Sequence, residues 1–197
     1  MLVIALMIRH DSKGPALFKQ KRLGKNKKIF TVYKFRTMKT DAPKNCPTHE
    51  LENPDRYITS LGIHLRNWSL DELPQLFNVF LGQMSVIGPR PINPNLTEWI
   101  NERDKYGAND LRPGLTGWAQ INGRDNLAIC EKAFLDGVYA NNISFWFDVK
   151  CFFKTIVVVL KRADITEGCV KKKKEQNKLK FSPTERTKPI SVDKSYL

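Results

Sequence analysis

ALFKQKRLGKNKKIFTVYKFR, residues 16–36, is the stretch from which the fold is read. Ala16 to Arg22 reads as a short strand and Gly24 to Lys28 as a lysine-rich turn. Ile29 to Arg36 reads as a second strand, alternating apolar with polar or basic residues toward its end as a half-buried strand does. The result is a basic hairpin. On its C-terminal side Thr40 to Asp55 is polar and carries Pro43, Pro47 and Pro54, the signature of an exposed loop. The spacing of Leu61, Leu65 and Trp68 predicts a helix over 58–67. Leu70, Leu73, Leu76, Phe77 and Phe80 mark a second apolar helical stripe, opened by Ser69, constrained by Pro74 and stopped at Gly82. A short antiparallel sheet followed by amphipathic helices places the chain in the α/β (α+β) class, and 197 residues with 41% apolar content fit one globular domain.

Upstream of the hairpin, Met1 to Ile8 is wholly apolar and runs straight into Arg9, His10 and Asp11. It is too short to span a bilayer, which takes about 20 apolar residues, and it has neither the basic lead nor the cleavage site of a signal peptide. It reads as the end of a longer membrane-inserted element, an interfacial helix or a first core strand. Downstream, Gly88-Pro89-Arg90-Pro91 and Arg112-Pro113-Gly114 are turns that hold backbone and arginines rigidly. The strongest later element runs from Ser144 to Lys161, with Phe145, Trp146, Val149, Phe152, Phe153, Ile156, Val157 and Leu160 on one wide helical face. Its length and the charges Asp148, Lys150 and Lys154 argue against a spanning helix. A helix lying along a membrane surface and a helix packed on the core both fit.

The net charge of +13 is unevenly spread. From Met1 to Thr40 eleven basic residues face the single acid Asp11, and from Lys171 to Leu197 nine face Glu175, Glu185 and Asp193, so the middle of the chain is slightly acidic. A basic stripe attracts nucleic acid, anionic lipid headgroups or substrate phosphates alike. The four cysteines, Cys46, Cys130, Cys151 and Cys169, form no C-x-x-C pair, and His10, His49 and His64 are scattered, so neither a zinc site nor a disulfide framework is indicated. Any metal falls to carboxylates.

Ser69-Leu70-Asp71-Glu72-Leu73-Pro74-Gln75 places two adjacent carboxylates in the first turn of a predicted helix. Ser69 with Glu72 three residues on is also a capping box, and first-turn acids complement the helix dipole, so a structural and a chemical reading stand side by side. Four motifs in order bear on that choice: 34–38 (KFRTM), 69–79 (SLDELPQLFNV), 84–91 (MSVIGPRP) and 112–124 (RPGLTGWAQINGR). Together with the 139–148 segment, they resemble the motif set of the bacterial sugar transferases, the membrane-associated phosphoglycosyl transferases. The resemblance covers about residues 1–168; the lysine-rich stretch 169–197 lies outside it and is expected to be a disordered tail.

The resemblance implies an enzyme that moves a sugar phosphate from a UDP-sugar to polyprenyl (undecaprenyl) phosphate at the cytoplasmic face of the bacterial inner membrane, as a peripheral or monotopic protein, early in polysaccharide or glycoconjugate synthesis. It implies Asp71 as nucleophile, Glu72 as its partner in an acidic dyad with magnesium, and Lys34, Arg90, Arg112 and Arg124 as candidates for the substrate phosphates. A carboxylate attacking phosphorus forms an acyl phosphate and splits one hard transfer into two easier ones. Magnesium suits a carboxylate pair together with substrate phosphates, and arginine grips phosphate with two bonds. The family begins with a longer hydrophobic segment that enters the membrane and returns; only its distal end is expected in Met1 to Ile8, so the start reads as truncated. Amphipathic helices lying on an anionic membrane surface are the expected arrangement. Two rival readings are a basic nucleic-acid-binding module, for which no zinc-finger, RRM or KH signature is found, and an inactive membrane-surface scaffold.

Overall fold

The computed structural model describes residues 1–43, 56–123 and 127–161, and the predicted 40–55 loop (in its greater part), Arg124 and the 169–197 tail lie outside them. The hairpin forms as expected: β1 (Leu17–Leu23) pairs antiparallel with β2 (Ile29–Phe35), Leu17 opposite Phe35 and Leu23 opposite Ile29. Asn26 and Lys27 take the left-handed conformation in its turn. The apolar start is a helix, α1 (Leu2–Asp11), whose Ile8 packs with Phe35 of β2 and Leu65 of α2 (Ser60–Asn67). A buried guanidinium fastens it: Arg36 donates to the carbonyls of Ser12 (2.6 Å), Ile8 (3.4 Å) and Lys13, which end or follow the helix. Burial lowers the Arg36 pKa from its ordinary value, with Asp11 opposing. α2 is capped by Thr59, whose side chain accepts from the Gly62 amide at 3.0 Å. A Cβ on Gly62 would overlap the Thr37 carbonyl, so only glycine lets this helix lie against the strand's exit.

After α2 the predicted continuous helix is instead a 3-10 turn, Leu70–Gln75, leading into the short α3 (Leu76–Phe80). Pro74 has no N–H to return to the Leu70 carbonyl, which disfavours the α form there. Ser69 sits in the left-handed region (φ 53°, ψ 22°) and its side chain makes no capping bond, so the capping box does not form. The apolar stripe is not core-facing throughout either: Leu73 packs against the first cluster, while Leu76, Phe77 and Phe80 are exposed.

The second half is built on a parallel pair that pattern reading missed, β3 (Ser85–Ile87) with β4 (Gly114–Thr116), Ser85 opposite Gly114 and Ile87 opposite Thr116. Three short helices surround it: α4 (Thr97–Asp104), α5 (Trp118–Ile121) and the longer α6 (Ile129–Asn141), none of which was expected from sequence. Their core is Ile87, Trp118, Ala119, Leu135, Val138 and Tyr139 with Phe147 and Cys151 of the last helix, α7 (Phe145–Lys161). α7 therefore touches the core along a narrow line. Phe145, Trp146, Phe152, Phe153, Ile156, Val157 and Leu160 on its broad face are all exposed, which decides against the fully packed alternative. The lysines that interrupt its apolar pattern lie over the Trp118 ring, Lys150 at 5.4 Å and Lys154 at 4.7 Å from its centroid. No helix among the described residues is long and apolar enough to cross a membrane.

Candidate active site

Asp71 and Glu72 ride on the 3-10 turn, which is held against the outer edge of β2 by one fully buried side chain. Asn78 Oδ1 accepts from the Tyr33 amide (3.2 Å), while Nδ2 donates to the Thr31 carbonyl (2.7 Å) and to Gln83 Oε1 (2.8 Å). An edge strand leaves such N–H and C=O groups without a partner, and a carboxamide can satisfy one of each. The clamp fixes the turn beside Lys34, the residue after Tyr33.

Lys34 Nζ donates to Glu72 Oε1 at 3.0 Å, and Arg90 Nη2 lies 3.4 Å from the same oxygen. All three side chains are partly buried, so the charges meet where water screens them little. Asp71 is 8% exposed. Four sequence-predicted residues, Asp71, Glu72, Lys34 and Arg90, are thus brought to one place from β2, the 3-10 turn and the loop after β3.

Arg90 owes its position to glycines. Gly88 donates to the Thr116 carbonyl and Gly114 to the Pro89 carbonyl, each at 2.9 Å, and a Cβ on Gly88 would come within 2.6 Å of the Arg112 carbonyl. Cβ atoms on Gly114 and Gly117 would overlap the Gly88 backbone. The two turns expected from sequence therefore dock backbone to backbone. Arg112 takes part through its main chain, and its side chain is exposed. Arg124 lies outside the described residues.

Several polar residues had no role assigned from sequence. Arg103 is 3% exposed and pairs with Asp136, 1% exposed, on α6. Burial pushes the Asp136 carboxyl above its ordinary range, against the pull of Arg103 and Lys132. Tyr139 donates to Asp148 Oδ1 at 2.8 Å, tying α6 to α7; burial and that bond raise the phenol well above its usual value. The signal for Asn78 was present as an amide inside an apolar run, and so was Asp136 inside the 134–139 segment.

Magnesium fits this donor set in a limited way. No cluster of three or more His, Cys, Asp or Glu among the described residues could hold a metal alone, and Glu72 Oε1 already faces two cations. Two adjacent carboxylates suit magnesium when substrate phosphates and water complete the shell.

A family model described as bacterial sugar transferase matches residues 1–162. The chain is 42% identical over 168 residues to an undecaprenyl-phosphate glucose phosphotransferase of Komagataeibacter xylinus, covering 79% of this chain and 31% of that protein. It is 40% identical over 160 residues to a UDP-glucose:undecaprenyl-phosphate glucose-1-phosphate transferase of Escherichia coli K12, covering 78% and 34%. To the exopolysaccharide production protein PSS of Rhizobium leguminosarum bv. phaseoli it is 40% identical over 172 residues, covering 82% and 86%. The chain spans about a third of the length of the first two proteins and most of the third.

Proposed function

The chain belongs to the bacterial sugar transferase family, and we propose that it transfers a sugar 1-phosphate from a UDP-sugar to polyprenyl phosphate through a covalent intermediate on Asp71. The observation that carries this reading is Glu72 Oε1 held between Lys34 (3.0 Å) and Arg90 (3.4 Å) beside the nearly buried Asp71. A nucleophilic carboxylate must approach a diphosphate that is itself negative. Pairing Glu72 with two cations removes a neighbouring like charge, and the same cations offer donors to phosphate oxygens.

In the first step an Asp71 oxygen bonds to the sugar-bearing phosphorus, and the bond from that phosphorus to the bridging oxygen breaks. The electron pair leaves with UMP. In the second step a phosphate oxygen of the polyprenyl acceptor attacks the same phosphorus and Asp71 departs as carboxylate, which yields polyprenyl diphosphate sugar. Lys34 and Arg90 hold the dyad and the phosphates, and the motif resemblance adds Arg112 and Arg124 as further phosphate-binding residues. Magnesium, when bound by Asp71 and Glu72 with substrate oxygens, supplies further positive charge against the diphosphate.

The acceptor is a lipid, and two apolar faces favour a place at a membrane surface. α1 and the residue before it expose Met1, Leu2, Val3, Leu6 and Met7, α7 exposes its aromatic face, and the first 40 residues of the chain are rich in Lys and Arg. Amphipathic helices with basic neighbours bind anionic interfaces without spanning them. The protein then acts as a peripheral or monotopic enzyme on the cytoplasmic face of the bacterial inner membrane. The test is incubation with a panel of radiolabelled UDP-sugars, polyprenyl phosphate and magnesium, followed by lipid extraction. Label entering the lipid phase with wild type and not with Asp71→Asn is expected. No labelled lipid from any UDP-sugar would overturn the assignment and leave a membrane-surface scaffold.

A further inference from the structure

Arg90 is carried on a loop, and the loop is anchored from behind by a side chain that belongs to neither the dyad nor the phosphate surround. Arg103, on α4, directs Nε to Asp136 Oδ2 at 2.8 Å and holds Nη2 2.6 Å from the same oxygen. Its remaining nitrogen, Nη1, donates to the Arg90 carbonyl at 2.8 Å. We infer that Arg103, locked by Asp136, is a positioning residue that sets where Arg90 stands beside Glu72. This rests on the function proposed above.

Three main-chain bonds fix the 88–92 segment on either side of Arg90: Gly88 and Pro89 are bonded to β4, and the Ile92 carbonyl accepts from Leu23 at 3.0 Å. The carbonyl of Arg90 itself is held by a side chain, and that side chain is charged and shielded from solvent. A charge-assisted bond in so dry a place is short and directional. Arginine is suited to the task because its planar fork serves the carboxylate along one edge and leaves Nη1 pointing elsewhere. The Trp99 ring, 4.9 Å from the guanidinium carbon, lies against its face. Gly137 lets the turn after α4 approach α6, since a Cβ there would come within 2.5 Å of Tyr106 Cβ.

Buried ion pairs stabilise folds weakly, and matched apolar replacements are often neutral. That separates geometry from stability. Arg103→Met/Asp136→Leu removes both charges and the bond to Arg90; Arg103→Lys keeps a cation for Asp136 but lacks the second arm. Each is made in the full chain in wild-type and Arg90→Ala backgrounds, with kcat/KM for UDP-sugar, thermal midpoint and amide exchange over 88–92 as readouts. With Arg90 present, both changes should lower kcat/KM roughly tenfold or more, because a displaced catalytic group is costly in rate. With Arg90→Ala they should change it by less than about twofold. Exchange over 88–92 should rise while the midpoint of the double replacement stays near wild type. An equal loss in both backgrounds would make the pair merely structural and overturn the inference, as would unchanged exchange over 88–92 in a folded variant. Should wild type transfer nothing from any UDP-sugar, the function proposal fails and the exchange measurement alone decides the place of Arg103.

Discussion

Replacing Asn78 by alanine isolates the clamp that holds the dyad-bearing turn on β2. The side chain is fully buried, and its loss removes the bonds to the Tyr33 amide (3.2 Å), the Thr31 carbonyl (2.7 Å) and Gln83 Oε1 (2.8 Å). Alanine leaves the Tyr33 N–H and the Thr31 C=O without their protein partner. Each buried unsatisfied group costs about 1–3 kcal/mol, so with partial rescue by water the total is about 3 kcal/mol. For a protein of this size that lowers the midpoint of thermal unfolding by about 6–12 °C. Asn78→Asp is expected to be worse, since it keeps the acceptor for Tyr33 but loses both donors and sets a charge against the Thr31 carbonyl. The assay is thermal unfolding in detergent or nanodiscs, with transferase activity measured well below the midpoint. Activity should fall too, because Lys34 and Glu72 lose their common frame. An Asn78→Ala midpoint within about 2 °C of wild type would refute the reasoning.

Three further outcomes follow from the same geometry. Asp136 has a raised carboxyl pKa, so the folded state holds its proton more tightly than the unfolded chain; its contribution is full below about pH 4 and is lost as pH rises through the folded value. The midpoint of wild type minus that of Arg103→Met/Asp136→Leu should therefore be greatest near pH 4 and shrink as pH rises, and a flat difference would contradict this. Burial and nearby Asp148 push the Cys151 thiol to about 12, whereas Cys130 is exposed. Iodoacetamide near neutral pH should label Cys130 and spare Cys151 in peptide mapping, since the thiolate is the reactive form; equal labelling would sink the packing described for α7. Trp146→Ser/Phe153→Ser should leave the midpoint unchanged, because both side chains are exposed, yet weaken binding to anionic vesicles roughly tenfold or more. Unchanged vesicle binding would count against α7 as a membrane face.

The hairpin was legible because a period-2 pattern interrupted by Gly24 to Lys28 leaves little choice of register. α2 and α7 were legible from apolar spacing. The start and length of α7 came within one residue, yet spacing could not say that its broad face stays outside. The 69–82 helix misled because a pattern of apolar positions is shared by α and 3-10 geometry, and the lone Pro74 tipped the balance. Three-residue strands such as Ser85–Ile87 and Gly114–Thr116 show no periodicity; what defines them is the mutual approach of Gly88, Gly114 and Gly117, a tertiary event. The site followed the same divide. The motif resemblance picked out Lys34, Arg90 and Glu72 as site residues without saying that they pair with one another, whereas Asn78, Arg103 and Asp136 serve through partners far away in the chain, at separations no local rule connects.

In the proposed reaction Asp71 carries the transferred group. Protein incubated with UDP-sugar and magnesium, without polyprenyl phosphate, is to be quenched and digested, and its peptides read by mass spectrometry. A sugar-phosphate adduct is expected on the peptide containing Asp71, absent in Asp71→Asn and discharged when polyprenyl phosphate is added. Undiminished UMP release by Asp71→Asn, or an adduct on another residue that survives that substitution, would contradict it.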